Sequence, residues 1–291
     1  MNEINSFAMK FFSTAPIGLD QLAKFALRTK KVFGVTSLSG EFVLNEKRSS
    51  VTAFDDLCQF FDAGLPSWSG CATIVFGSDN GCSGRCDVLK LPRANLRNRY
   101  DGVSANYRMH EFMVRLPSRV FDDGFREGQV FDYFCEVSGL LRVEFAFGTD
   151  GENIFSPSNL ARGLESGLPG VYAINAYGST FSRIFEEKFW ASLSDFKVRK
   201  IKQNIAVVAL NEDVANLEIE EREKKIKKLK DLIGEEYFAN VEASPFGVAG
   251  GSVGLLSFIG AVIKSHVSYA SENRLAKKRP VFDWSGIFSG K

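Results

Sequence analysis

Phe131-Asp132-Tyr133-Phe134-Cys135 echoes, with conservative changes, an earlier Phe54-Asp55-Asp56-Leu57-Cys58. Downstream of each copy a hydrophobic stretch ends in a matching run, Phe76-Gly77-Ser78-Asp79-Asn80-Gly81 and Phe147-Gly148-Thr149-Asp150-Gly151. The first pentapeptide sits in a helical pattern and the run after it reads as a strand closed by a turn. A further strand precedes each copy, so both read strand, helix, strand. Duplication explains the echo, and so does shared architecture without shared descent. The expected fold is α+β, with duplicated strand-helix-strand units in a mixed or antiparallel sheet and helices packed on one face. The expected layout is a single domain over 1–291, with pseudo-repeated halves at about 30–81 and 106–151 and a C-terminal part over 170–291.

Local patterns fill in these units. The stretch from Lys31 to Leu44 is β-branched and aromatic, broken by Ser37-Leu38-Ser39-Gly40, and predicts a hairpin. Ser49 or Ser50 caps a predicted helix to about Asp62, with Phe54, Leu57, Cys58 and Phe61 on one face and Gly64 and Pro66 ending it. Cys71 to Phe76 predicts a buried strand, and Asp79-Asn80-Gly81 a turn. From Asn106 to Leu116 the residues alternate, with His110, Phe112, Val114 and Leu116 on one side. A helix from Phe125 to Ser138 and a strand from Leu141 to Phe147 complete the second unit.

A third block follows. Val171 to Ala176 predicts a strand, Gly178 opens a helix through Ile184, Phe185 and Phe189, and Phe196 to Arg199 with Ile205 to Leu210 predicts a hairpin. Its turn carries Lys200, Lys202, Gln203 and Asn204. Glu218 to Gly234 is the clearest helix, with Ile219, Ile226, Leu229 and Ile233 near a heptad seam. Pairs such as Glu221 and Lys225 stand i,i+4 with the acid first, the favoured order. A solvated helix face is the preferred reading over a coiled-coil interface.

Composition narrows function by exclusion. Hydrophobic residues make up 45% of the 291 and charged residues 24%, which is ordinary for a globular chain. Twenty-seven phenylalanines supply an ample core, each buried ring contributing about 1.5–3 kcal/mol. A net charge of +1 gives no global attraction to nucleic acid or anionic lipid. The start of the chain lacks the basic-then-apolar order of a secretory signal, because Lys10 interrupts it. Five cysteines, odd in number and irregular in spacing, read as free thiols in a reducing cytoplasm.

No constellation carries a recognisable chemistry. Cys82 and Cys86 form one Cys-x3-Cys pair; Cys71 and His110 are conceivable further zinc ligands, but no spacing enforces them, and ligand-free loop thiols are preferred. His110 shares an apolar face and reads as a core or edge histidine before a general base. His266 lacks an acidic orienter close in sequence. The Asp-Gly turns lack the alternating oxygen ligands of a calcium loop. The run from Gly247 to Gly254 lacks the Gly-Lys-Ser/Thr end of a phosphate loop. Arg93, Arg97, Arg99 and Tyr100 read as a solvated loop instead of a nucleic-acid stripe. Between Phe246 and Ile263 no charge occurs; burial inside the fold is preferred, and a membrane tether is the alternative. No catalytic, cofactor or metal residue is assigned, and no cofactor is expected.

One block carries a resemblance. Val171-Tyr172-Ala173-Ile174-Asn175-Ala176-Tyr177-Gly178 sets an Asn in an apolar strand, then takes an aromatic-Gly step into a helix. Lys188-Phe189-Trp190 and a hairpin ending Ile205-Ala206-Val207-Val208-Ala209-Leu210 follow. This pattern resembles a family of bacterial immunity proteins found with polymorphic toxins and type VI secretion effectors. The resemblance implies a cytoplasmic, non-catalytic protein that binds a cognate toxin and plugs its cleft. It transfers no site residue. The alternative reading is a cytoplasmic hydrolase or transferase using His110 or a cysteine.

Overall fold

A computed structural model describes residues 6–44, 47–53, 70–92, 109–117, 127–150, 168–185, 187–201, 204–211, 219–234, 237–238 and 288–289. Within them the architecture is α+β: one large sheet, antiparallel apart from one short parallel pairing, with helices packed on it. Its strands in chain order are β1 (Ser6–Ser13), β2 (Ser37–Leu44), β3 (Lys47–Val51), β4 (Gly70–Gly77), β5 (Ser83–Pro92) and β6 (His110–Pro117), then β7 (Phe145–Asp150), β8 (Ile174–Tyr177), β9 (Lys197–Ile201), β10 (Ile205–Ala209) and β11 (Phe288–Ser289). In space they run β3-β2-β4-β5-β6-β1-β7-β8-β10-β9, and β11 pairs in parallel with the end of β5. The helices are α1 (Leu19–Phe33), α2 (Glu127–Leu141), α3 (Ser179–Ile184), α4 (Glu187–Ala191) and α5 (Ile219–Ile233).

The centre of the sheet is β1, paired with β6 on one side and β7 on the other and buried along its whole length. A strand covered on both faces has no reason to alternate, and Phe7-Ala8-Met9-Lys10-Phe11-Phe12 does not. Alternate side chains still go to opposite cores. Phe7, Met9 and Phe11 join one cluster, and Ala8 and Phe12 the other. In β6 the expected alternation holds, with Phe112, Val114 and Leu116 all pointing into the first core.

Helices α1 and α2 cover that first core side by side. Phe25 of α1 meets Phe112 at 5.1 Å between ring centres and Phe76 at 5.8 Å, and Phe11 meets Phe134 of α2 at 5.0 Å. Gln21 accepts a bond from the Gly18 N–H at the start of α1, and Gly34 closes its end in the left-handed conformation at φ 66°. Asn80, in the predicted turn, donates to the Phe33 carbonyl at 3.1 Å and accepts from the Cys82 N–H at 3.0 Å. The β4–β5 turn therefore clasps the end of α1. The other face is covered over β7, β8 and β10 by α3, α4 and α5, around Phe145, Phe147, Tyr177, Phe181 and Phe185.

Several local expectations are corrected. Lys31 to Phe33 belong to the last turn of α1, and Ser37–Leu44 is one strand, so no hairpin occupies 31–44. The Ser37-Leu38-Ser39-Gly40 break lies inside β2, where pairing with β4 holds the chain extended. Ser49 and Ser50 belong to β3 and do not cap a helix; the rest of that predicted helix, with Phe54 and Cys58, lies outside the described residues. Leu141 is the last residue of α2, and the next strand starts at Phe145. Phe147 to Asp150 continue β7 instead of turning, because β1 pairs with all four and β8 pairs with Phe147 and Gly148 from the other side.

The third block follows the expectation in part: its strand begins at Ile174 instead of Val171, and the expected helix breaks at the extended Phe185 into α3 and α4. β9 and β10 form the predicted hairpin, with Ile205 opposite Ile201, and Asn204 takes the left-handed turn position at φ 60°. Lys200 belongs to β9 instead of the turn. In α5, Leu229 and Ile233 are buried in the second core with Ile226 packed beside them, so the apolar seam is spent inside the molecule. Glu221 and Lys225 form their predicted pair at 3.3 Å.

Candidate partner-binding surface

The residues marked for chemistry lie inside the fold. His110 is 1% exposed and stands opposite Ser13 across the β1–β6 pairing. The Ser13 hydroxyl is already committed, donating to the Leu141 carbonyl at 2.7 Å and accepting from the Ala15 N–H at 3.1 Å. It thereby satisfies a carbonyl left over at the end of α2.

Cys82, Cys86 and Cys135 are buried thiols outside any disulfide. Cys82 precedes β5 and Cys86 lies within it, so the second thiol is in a strand and not in a loop. Four steps along an extended chain separate their positions by roughly 13 Å, too far to share one ion. Burial raises the Cys86 thiol well above its ordinary pKa and raises Cys135 to about 11, which keeps both protonated. Among the described residues no group of His, Cys, Asp and Glu is placed to hold a metal ion. Among the described residues no helix is long and apolar enough to cross a membrane. His266, Arg93, Arg97, Arg99, Tyr100, the Gly247 to Gly254 run and the Phe246 to Ile263 stretch lie outside the described residues.

The block that carried the resemblance is built for packing. Asn175 is fully buried in β8, and its amide accepts from the Tyr172 N–H at 2.9 Å and donates to the Tyr172 carbonyl at 2.7 Å. It pins the strand entrance, where Tyr172 stacks on Phe147 at 4.1 Å. Gly178 donates its N–H to the Glu144 carbonyl at 2.9 Å, and a Cβ there would lie 2.1 Å from the Val143 carbonyl oxygen. The aromatic-Gly step is therefore a close backbone approach.

Among the described residues two surfaces offer a place on which a macromolecule can sit. One is the part of the second sheet face carried by β4, β5 and β6. Here Val75, 45% exposed, stands opposite Arg85, and Arg85 opposite Met113. In the next row Thr73, Asp87 and Glu111 stand side by side. Asp87 accepts from Arg85 Nε at 2.7 Å, from Arg85 Nη2 at 3.1 Å and from the Thr73 hydroxyl at 2.7 Å. The hydrogen bond and charge of Asp87 hold the Arg85 pKa above its usual value. Glu111 is served by Lys10, whose ammonium reaches it at 3.1 Å from a side chain only 7% exposed. This face thus interleaves the cations Lys10, Arg85 and Arg115 with the carboxylates of Asp87 and Glu111, and Arg115 Nε donates to the Ser6 hydroxyl at 3.3 Å.

The other surface is the β9 edge. Its sequence Lys197-Val198-Arg199-Lys200-Ile201 contains three cations and no carboxylate. Lys197 and Arg199 lie over the Phe131 ring of α2, at 4.7 and 4.8 Å from its centre. On the opposite side Lys200 lies 6.0 Å from the centre of the Trp190 ring. Arg199 also bonds Asp132 at 2.7 Å. The sequence pattern showed the hairpin but not this edge. Its visible trace was the run of cations in a short strand.

No protein-family model matches this chain, and none of the curated proteins matches it. Among solved structures, the Pseudomonas aeruginosa T6SS protein PA0821 is similar to it, with a TM-score of 0.55 and 11% sequence identity, over 97% of this chain and 88% of that one. The chain therefore shares its fold with a protein of the type VI secretion system.

Proposed function

We propose that this chain is an immunity protein that binds a cognate bacterial effector and blocks it without catalysis. The observation that carries the reading is the fold held in common, over 97% of this chain, with a T6SS protein. The block from Val171 to Leu210 supports it, since the residues that suggested the family are those that fix the β8–α3 junction. The mechanism is steric: a rigid sheet presents a surface that covers the toxin's cleft, with a few anchors and matched charge supplying affinity and speed of capture. His110, Cys82 and Cys86, the residues on which an enzyme reading leaned, are held away from solvent.

Co-expression with the product of the neighbouring effector gene tests the proposal. The expected result is restored growth of cells that the effector alone kills, with a complex that co-purifies. Failure to rescue from any adjacent secreted effector sinks it.

A further inference from the structure

We infer that the toxin docks by adding an acidic extended segment to the edge of β9, an assignment that rests on the immunity reading and names the surface it uses. Among the described residues β9 pairs only with β10 and ends the strand order. Alternate residues of such an edge turn their N–H and C=O groups outward, ready to receive another strand. Val198, Arg199 and Lys200 are exposed, and Val198 is among the exposed large apolar side chains.

Charge selects the occupant. The strand carries three cations and no acid, and Asp132 of α2 pairs with Arg199. The nearby Asp195 is bonded to Lys228 of α5. The open face over β4 to β6 interleaves Lys10, Arg85 and Arg115 with Asp87 and Glu111, and β5 at its middle is paired on both sides, so it offers no comparable strand edge. An incoming strand meets Lys197 and Arg199 on one side of the sheet and Val198 and Lys200 on the other, so acidic residues on both of its faces find partners. The Phe131 and Trp190 rings hold the cations in place before contact, which lowers the entropy lost on docking.

Edge lysines also serve to repel unwanted strands. Both roles follow from one field: a basic edge rejects another basic edge and accepts an acidic one. A nucleic acid fits less well. Phe131 is 1% exposed and gives no platform for base stacking. Backbone phosphates also make no use of an open strand edge.

The test uses the full chain and the neighbouring effector. A photo-crosslinking amino acid is placed at Val198 and, separately, at Val75 on the open face. The charge-reversed variant Lys197→Glu/Lys200→Glu and the neutral variant Lys197→Gln/Lys200→Gln are compared with the unaltered chain, thermal melting confirming that each folds. The expected result is crosslinking to the effector from Val198 and not from Val75. Affinity should fall about tenfold or more on charge reversal and by less on neutralisation, mostly through slower association. Rescue by the unaltered chain with crosslinking only from Val75, or with affinity unchanged in both variants, overturns the docking assignment and leaves the immunity reading standing. No rescue by the unaltered chain removes the immunity reading and this assignment with it. Retention of a single-stranded oligonucleotide that charge reversal abolishes, with effector binding unaffected, reassigns the edge to nucleic acid and overturns the proposal.

Discussion

The Tyr133 phenol of α2 lies 2.7 Å from the Thr29 hydroxyl of α1, with both side chains fully buried. Thr29 also donates to the Phe25 carbonyl at 2.8 Å, so its single proton is used and the phenol donates to it. This bond ties together the two helices that cover the first core.

The two ends of that bond are unequal. Tyr133→Phe leaves Thr29 its bond to Phe25 and is expected to cost about 1 kcal/mol. Thr29→Val strands a buried phenol and is expected to cost about 2–3 kcal/mol. The double variant should cost less than the sum. Urea unfolding of all three checks the order, and equal single costs contradict the geometry.

Alkaline pH should unfold the protein for a related reason. Burial raises the pKa of Tyr133 and Tyr177 far above 10.0, that of Tyr172 to about 12, and that of Cys86 well above 9.0. Each group holds its proton more tightly folded than unfolded. Its contribution is complete below the unfolded pKa and is lost as pH rises toward the folded one. Stability is therefore flat below pH 9 as far as these groups are concerned and falls above it, by up to about 1.4 kcal/mol per pH unit for each group titrating. Urea midpoints between pH 8 and 11 measure this, and Tyr133→Phe should flatten the descent.

Gly178 and Gly128 make a controlled pair. A Cβ at Gly178 would press on the Val143 carbonyl and the Glu144 Cα, both main-chain atoms that yield little. Gly178→Ala is expected to cost about 3 kcal/mol. At Gly128, near the start of α2, no heavy atom lies within 4 Å of the added carbon. Gly128→Ala is expected to be neutral or to stabilise by up to about 0.5 kcal/mol. Thermal unfolding of the two variants gives the comparison.

Lys10 and Glu111 also differ in what they leave behind. Glu111→Ala abandons an ammonium inside the sheet, whereas Lys10→Met abandons a carboxylate that water reaches. The first is expected to cost about 2–3 kcal/mol and the second under about 1 kcal/mol. Denaturant titration decides, and the reverse order rules out a buried Lys10.

Periodicity and turn chemistry alone determined the alternating β6, the β9–β10 hairpin, the Asp79-Asn80-Gly81 turn and the α5 helix, because each depends on neighbours a few residues away. Helix α1 formed no part of the expectation, although Leu22, Phe25, Ala26 and Phe33 stand at helical spacing, because its last residues Lys31 to Phe33 read with the β-branched residues after them as a hairpin. Only the tertiary structure made Ser6–Ser13 the centre of the sheet, since burial on both faces erases the alternation that marks a strand. It alone placed the Cys82 and Cys86 thiols in the interior, hid Lys10 beside Glu111, and set Lys197 and Arg199 over Phe131. These outcomes are contacts between residues far apart in the chain, and local pattern carries no information about which distant side chain comes to rest against which.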